Sequence, residues 1–419
     1  MFLIELAIGL SAIAVYVLAR RTAHARLLMA DAVFAGIAMF FIGAWVEARR
    51  LDYIEGSEVV LHLALLALVS ATASGILLRP MFAGVPPDEP PTHRFDPRFL
   101  HASGWFVVAF NLMFAAFVYQ VLLGGNLARL GDERGLLVVR KMISSGEKGY
   151  FFPGLVKQVR DVLAPTLMIA FMAYTARGSF RVLTLAVAGT TLLAMFLGGQ
   201  RGPLLALGWS VYIGWRHSAA GQHHSVRTKL WTIGLVVAAV PMLGIVNVML
   251  GRVAEGASVD QVLFGTIGGV FERLFLIVPR TSIEAFAFIE SRDFGFGELW
   301  ITDLAILAPG TQAGLSNELH NYLGGSMEGN AVLGLPVNSY VNAGYAGVIL
   351  TPLIYMFAAT FLDRRIVAMR DPLLNCARQV VLVYLIFAFD PYLFLLTGGL
   401  FLLFCLGLAT VRPRGVFRE

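Results

Sequence analysis

Charge and cysteine are what this sequence has least of. Only 14% of its residues are Asp, Glu, Lys or Arg, against 58% hydrophobic, and the mean hydropathy is +0.74. With so few charges, a water-soluble fold of 419 residues could not cover that much apolar surface, so lipid is the solvent that suits the chain. Its two cysteines, Cys376 and Cys405, stand in no C-x-x-C pair and beside no histidine cluster. That excludes a disulfide framework and gives no zinc site. The sequence also has no P-loop, no G-x-G-x-x-G after a strand, no H-E-x-x-H and no G-x-S-x-G, so no cofactor and no metal is expected. His217, His223 and His224 lie close together but without ligand spacing, and read as surface residues.

What the chain does have is long apolar runs. A bilayer core takes roughly 20 apolar residues per helix. Such runs fall near 2–19, 28–46, 59–78, 104–124, 162–176, 182–198, 203–215, 230–250, 345–362, 379–390 and 392–411. The expectation is an all-α polytopic membrane protein of about 11 spans, forming one domain over 1–419. The first run begins at once and its positive flank, Arg20, Arg21 and Arg26, comes after it; a cleavable signal has the reverse order. Arginines recur in alternate connections, at Arg177/Arg181, Arg216/Arg227, Arg364/Arg365/Arg370 and Arg412/Arg414/Arg418. The positive-inside bias puts these in the cytoplasm, giving N-out and C-in.

Three segments are then expected outside. Residues 125–160 carry seven basic residues against three acids, against the rule for that side. A short turn, Gly198-Gly199-Gln200-Arg201-Gly202-Pro203, joins two spans. Residues 252–344 form the largest segment, with four arginines against ten acids and an interrupted apolar stretch, Val262–Val278, that suits an amphipathic or re-entrant helix. Charges inside the spans look sparse, chiefly Asp31 and Asp390, which counts against an ion-coupled carrier.

Basic groups on an outer surface suit an anionic, lipid-linked substrate. An arginine fork matches a diphosphate with two parallel charge-assisted hydrogen bonds, and a nearby acid or imidazole suits deprotonation of a sugar hydroxyl. Arg201 is the sharpest feature, a lone arginine in a glycine-flanked turn where backbone can approach a ligand. A helix-capping arginine facing headgroups is its plainer reading. Arg280 has a plain reading too, an ion pair with Glu284 one turn on. The basic run Arg134–Lys148 equally suits contact with anionic headgroups, His320 is an ordinary loop histidine on the bland view, and Asp31 reads as a helix-packing residue.

Two stretches carry a resemblance. FLGGQRGPLLAL at 196–207 resembles the "R-G-x-L-L" segment of bacterial oligosaccharide repeat-unit polymerases, the Wzy-type O-antigen and exopolysaccharide polymerases. GLPVNSYVNAGYAGVILTPLIYMF at 334–357 is similar to their glycine-rich approach to a late helix, with an N-x-G-x-x-G pattern at Asn342, Gly344 and Gly347. The resemblance covers most of the chain in layout but only about 35 residues in motif-like sequence. It implies a GT-C-like, metal-independent glycosyltransferase acting on the periplasmic face of the inner membrane. Its substrates would be undecaprenyl-diphosphate-linked oligosaccharides, and its partners a chain-length regulator and a flippase, with no nucleic acid. Arg201, Arg280, Arg273 and the Arg140/Lys141 pair are then expected on the departing diphosphate, and His320, Glu318 or Asp303 on the acceptor proton. His320-Asn321-x-Leu323 followed by Glu328 and Gly329 is also similar to a stretch of O-antigen ligases, so a ligase stays open, as does a non-enzymatic transporter or flippase.

Overall fold

The computed structural model describes residues 2–21, 29–83, 97–127, 156, 158–174, 179–197, 202–217, 260–261, 265, 268–269, 271–291, 296–297, 315–324, 333–369 and 372–387. Every regular element among them is helical. The main helices are α1 (Phe2–Arg21), α2 (Met29–Arg50), α3 (Ser57–Leu77), α4 (Pro97–Phe117), α5 (Ala164–Tyr174), α6 (Ser179–Leu197) and α7 (Gly202–His217). They continue with α8 (Ile277–Glu284), α9 (Phe286–Glu290), α10 (Leu315–Tyr322), α11 (Leu335–Met369) and α12 (Pro372–Phe387). Among the described residues five helices are long and apolar enough to cross a membrane: Phe2–Arg20, Met29–Arg50, Ser57–Leu77, Arg98–Leu122 and Leu335–Val367; Arg181–Leu197 and Leu373–Ile386 are shorter apolar helices. The runs expected as spans at 230–250 and 392–411 lie outside the described residues.

These helices are apolar nearly all round, as helices between lipid and protein must be. One core gathers α1, α2, α3, α8, α9, α10 and α11, around Phe40, Phe41, Leu61, Leu68, Phe286 and Met356. A second gathers α4 to α7, around Leu167, Phe171, Val187 and Ile213. Helix α12 joins them. Leu374, Ala377, Val381 and Leu385 face the first core, while Leu373, Cys376, Val380 and Val383 face the second. Each set repeats at three- and four-residue spacing, so two faces of one helix serve two cores. Polar ties reinforce the seam: Trp209 donates its indole N–H to the Gln379 carbonyl at 2.9 Å, and the Tyr384 hydroxyl donates to the Asp161 carbonyl at 2.9 Å.

Helix α11 is broken. Ala343 (φ −149°, ψ 21°) and Gly344 (φ 59°, ψ −154°) leave helical geometry. Gly344 occupies a region that only glycine enters cheaply. A Cβ on Gly347 would stand 2.2 Å from the Ser339 carbonyl oxygen. In a straight helix residues eight apart lie about 12 Å apart along the axis, so the chain bends into a sharp elbow. Residues 335–342 are a short approach helix and 345–369 the long helix that follows. The expected span at 345–362 corresponds to that second part.

The expectation that spans hold few charges is overturned. Glu5, Arg20, Glu47, Arg160, Asp161, Asp363 and Arg378 are all buried. Asp363, one residue past the span expected at 345–362, lies inside α11 and is wholly buried against Arg378 of α12. Arg160, counted in the basic outer segment, is buried in a π turn, Gln158–Leu163, and pairs with Asp161 at 2.6 Å. Hydropathy places a helix edge at the first charge, whereas these helices run on through charges that have partners.

At one end of the bundle Arg20 meets Asp31 at 2.5 Å, and Asp31 also accepts from the Tyr16 hydroxyl at 2.8 Å. Beside them Asp363 takes Arg378 and accepts the Met29 backbone N–H, the first of α2. Four helix ends are thus tied by charge. Asp31 is a structural partner here, in line with its reading as a packing residue.

Candidate functional site

The opposite end of α2 carries the most distinctive cluster. Glu47 sits in the last turn of α2 with 0% of its side chain exposed. A helix C-terminus is the negative end of the backbone dipole, so a carboxylate there needs a cation. Arg280 of α8 supplies it, donating Nε and Nη2 to the two Glu47 oxygens at 3.1 and 3.0 Å. Its remaining Nη1 donates to Glu272 at 3.0 Å. Arg50 stands 3.6 Å from Glu47 as a looser fourth member. The Arg280 guanidinium therefore holds its proton more firmly than usual, first because it hydrogen-bonds Glu47. Its partners are Glu47 and Glu272 rather than Glu284.

A π turn, Glu272–Leu276, makes the second contact possible. In a regular helix a spacing of eight residues leaves two side chains about 80° apart around the axis. One extra residue absorbed in a wider turn cuts that to about 20°. Glu272 and Arg280 then share a face two turns apart. The same segment packs closely on α2, where a Cβ on Gly43 would stand 1.6 Å from the Phe275 carbonyl oxygen.

Around this cluster the short helices form a cap. Ile283, Phe286, Ile289 and Leu319 enter the first core, fixing α8, α9 and α10 against it. The Ser282 hydroxyl accepts the Gly334 backbone N–H at 3.0 Å, tying α8 to the start of the α11 approach helix. Tyr340 of that helix faces Phe286 at 6.2 Å and Tyr345 at 5.2 Å, while Phe288 faces Tyr322 at 4.6 Å. Asn342 donates to both the Asn338 carbonyl and its side-chain oxygen, at 2.9 and 3.1 Å, and accepts from the Gly297 N–H at 2.8 Å. The elbow and the arginine cluster are therefore parts of one assembly.

Of the expected site residues, Arg280 and Glu318 are described in full. Arg273 lies in the π turn beside Glu272, and His320 lies on α10 two residues after Glu318. The structure thus brings the helices of Arg273, Arg280, Glu318 and His320 into one cap. Arg140, Lys141, Arg201 and Asp303 lie outside the described residues. Sequence reasoning passed over Glu47, although an acid at the end of an apolar helix signals a partner elsewhere. It also passed over Glu5, buried in α1 with His62 Nε2 2.8 Å from its carboxylate. Among the described residues no group of three or more His, Cys, Asp and Glu is placed to hold a metal ion. Comparison with family models, curated proteins and solved structures finds no match to the chain.

Proposed function

We propose that the chain is a polysaccharide polymerase of the bacterial inner membrane. It would have about eleven spans, N-out and C-in, and join undecaprenyl-diphosphate-linked oligosaccharide repeat units at the periplasmic face. One observation carries this reading. The stretch that resembles the polymerases, Asn342 to Gly347, is where α11 breaks, and each of its three motif positions serves the elbow: Asn342 by hydrogen bonding, Gly344 by its backbone angles and Gly347 by close approach. That elbow leans on the cap that carries Arg280 and Glu318.

In the reaction the bond between the donor's anomeric carbon and its phosphate oxygen breaks, and a bond to an acceptor hydroxyl oxygen forms. The hydroxyl proton passes to a base, for which Glu318, His320 and Asp303 are the candidates. The departing diphosphate gathers negative charge, which Arg201, Arg273, Arg280, Arg140 and Lys141 would neutralise. Arg280 enters this scheme already held by two carboxylates, so Glu47 orients it and Glu272 must give way before a phosphate can reach it.

The buried charges favour a second reading, a carrier or flippase for the same lipid-linked glycan, since ionisable residues within spans mark transport paths. Their position argues for the enzyme: Arg20, Asp31, Asp363 and Arg378 close one end as matched pairs, and Glu47 is matched at the other. A deletion strain complemented with wild type or Arg201→Ala, with insertion checked by immunoblot, separates the two. A polymerase gives long glycans with wild type and single repeats with the variant. A flippase deletion leaves the lipid-linked repeat on the cytoplasmic leaflet. Unchanged glycan length in the deletion strain removes the polymerase reading.

A further inference from the structure

The three contacts of Arg280 are unequal, and the inequality points to exchange. Glu47 is wholly buried and grips two nitrogens of the fork. Glu272 is 44% exposed and takes only the third. The Arg280 side chain itself is 24% exposed, and of its two partners the one on the Nη1 edge is the exposed one. A buried carboxylate cannot leave without stranding charge in the protein, whereas an exposed one can swing into water at little expense. Strong attachment on one edge and weak attachment on the other is how a guanidinium is kept oriented while one face stays available.

We propose that Glu272 is an internal stand-in for an anionic ligand: it occupies the outer edge of Arg280 until a phosphate or diphosphate group displaces it. The π turn is what places the stand-in there, because without its extra residue Glu272 would point about a quarter-turn away. Displacement exchanges one carboxylate for a phosphate or diphosphate oxygen, leaving Glu47 to hold the fork. Arg273, next to Glu272 in the turn, places a second cationic residue on the same segment. The chemistry suits either a prenyl-linked diphosphate or the phosphate of an anionic phospholipid headgroup. That the natural ligand is a glycan carrier rests on the polymerase reading; the exchange itself does not.

The full chain in phosphatidylcholine nanodiscs, titrated with farnesyl diphosphate and separately with inorganic pyrophosphate, tests this. Glu272→Gln should tighten binding about two- to fivefold, the weight of one exposed ion pair. Glu272→Lys should bind at least as tightly as Glu272→Gln, and Arg280→Gln should lose binding. If nanodiscs containing phosphatidylglycerol suppress farnesyl diphosphate binding to wild type more than to Glu272→Gln, the headgroup is the displacing anion. Unchanged or weaker binding by a normally melting Glu272→Gln protein overturns the inference, as does absence of saturable binding in both. Tighter binding by Glu272→Gln together with normal glycan length in Arg280→Ala cells keeps the exchange and removes the polymerase. Shortened glycans in Arg280→Ala cells with no effect of Glu272→Gln on affinity does the reverse.

Discussion

Glu47 and Asp363 illustrate how a membrane-embedded carboxylate is tolerated. Each has no exposed side-chain surface, and each is matched by an arginine from another helix. Breaking such a pair by removing one partner costs about 3–5 kcal/mol when the other is left buried. Arg378→Met should therefore destabilise the protein by that amount in denaturant unfolding from detergent. Pairing it with Asp363→Leu should recover only part of the loss, because Asp363 also accepts the Met29 N–H. Full recovery in the double variant would mean that the backbone contact contributes nothing. Arg280→Ala should cost somewhat less, about 2–3 kcal/mol, since Arg50 stands near enough to screen Glu47. The pH dependence of the Arg280 contribution follows from its raised proton affinity. A folded-state value above the unfolded one gives stabilisation that is complete at neutral pH and is lost only as pH rises through the guanidinium range, in strong alkali. Melting curves of wild type and Arg280→Ala should therefore stay a constant interval apart from neutral to mildly alkaline pH.

Helices such as α2 and α11 are shaped by where glycine falls. A Cβ at Gly43 or Gly347 would meet backbone carbonyl oxygen at 1.6 and 2.2 Å, whereas Gly189 and Gly208 have open space around them. Alanine at Gly43 or Gly347 must push α8 or the α11 elbow outward, and each should lower stability by at least about 2 kcal/mol. Alanine at Gly189 or Gly208 should be neutral or should stabilise by up to about 1 kcal/mol, from helix propensity. Thermal melting of the four variants tests this; equal effects would mean that these close approaches carry no weight. Five of the expected spans, near 2–19, 28–46, 59–78, 104–124 and 345–362, were legible in the sequence at this scale, because apolar length alone defines a spanning helix. The elbow was not: residues 335–342 look like loop because Pro336, two asparagines and a serine lower their hydropathy, whereas in the fold they form a helix that packs through Tyr340 on Phe286, with Gly334 just before it against Phe40. The charged ends were misplaced for a related reason. The partner of Glu47 lies 233 residues away, and that of Asp363 lies 15 residues away across a helix boundary.

Across the whole molecule α12 decides whether two helical groups behave as one. Cysteine labelling tests the proposed sidedness. In a background lacking Cys376 and Cys405, a cysteine at exposed Glu55 should react with an impermeant maleimide on intact spheroplasts. One at exposed Arg365 should react only after permeabilisation. The reverse pattern would invert the topology and move the Arg280 cap to the cytoplasm, away from any periplasmic chemistry. Of the residues expected in the site, Arg273, Arg280, Glu318 and His320 fall on the segments of the cap, while Arg140, Lys141, Arg201 and Asp303 lie outside the described residues. The cap's internal wiring was not legible: Glu47 at the end of an apolar helix calls for a partner, but nothing local in α2 says that the partner is α8.

The cap on Met29 also fixes an order of assembly. The first N–H of α2 is accepted by a carboxylate 334 residues further along the chain, so during synthesis the N-terminal hairpin enters the bilayer long before its acceptor exists. Until α11 arrives, that end of α2 must hold water or lipid headgroups in place of Asp363. A chain cut short before α11 would keep such a wet, unsealed end, a mark by which membrane proteases could tell an unfinished copy from a finished one.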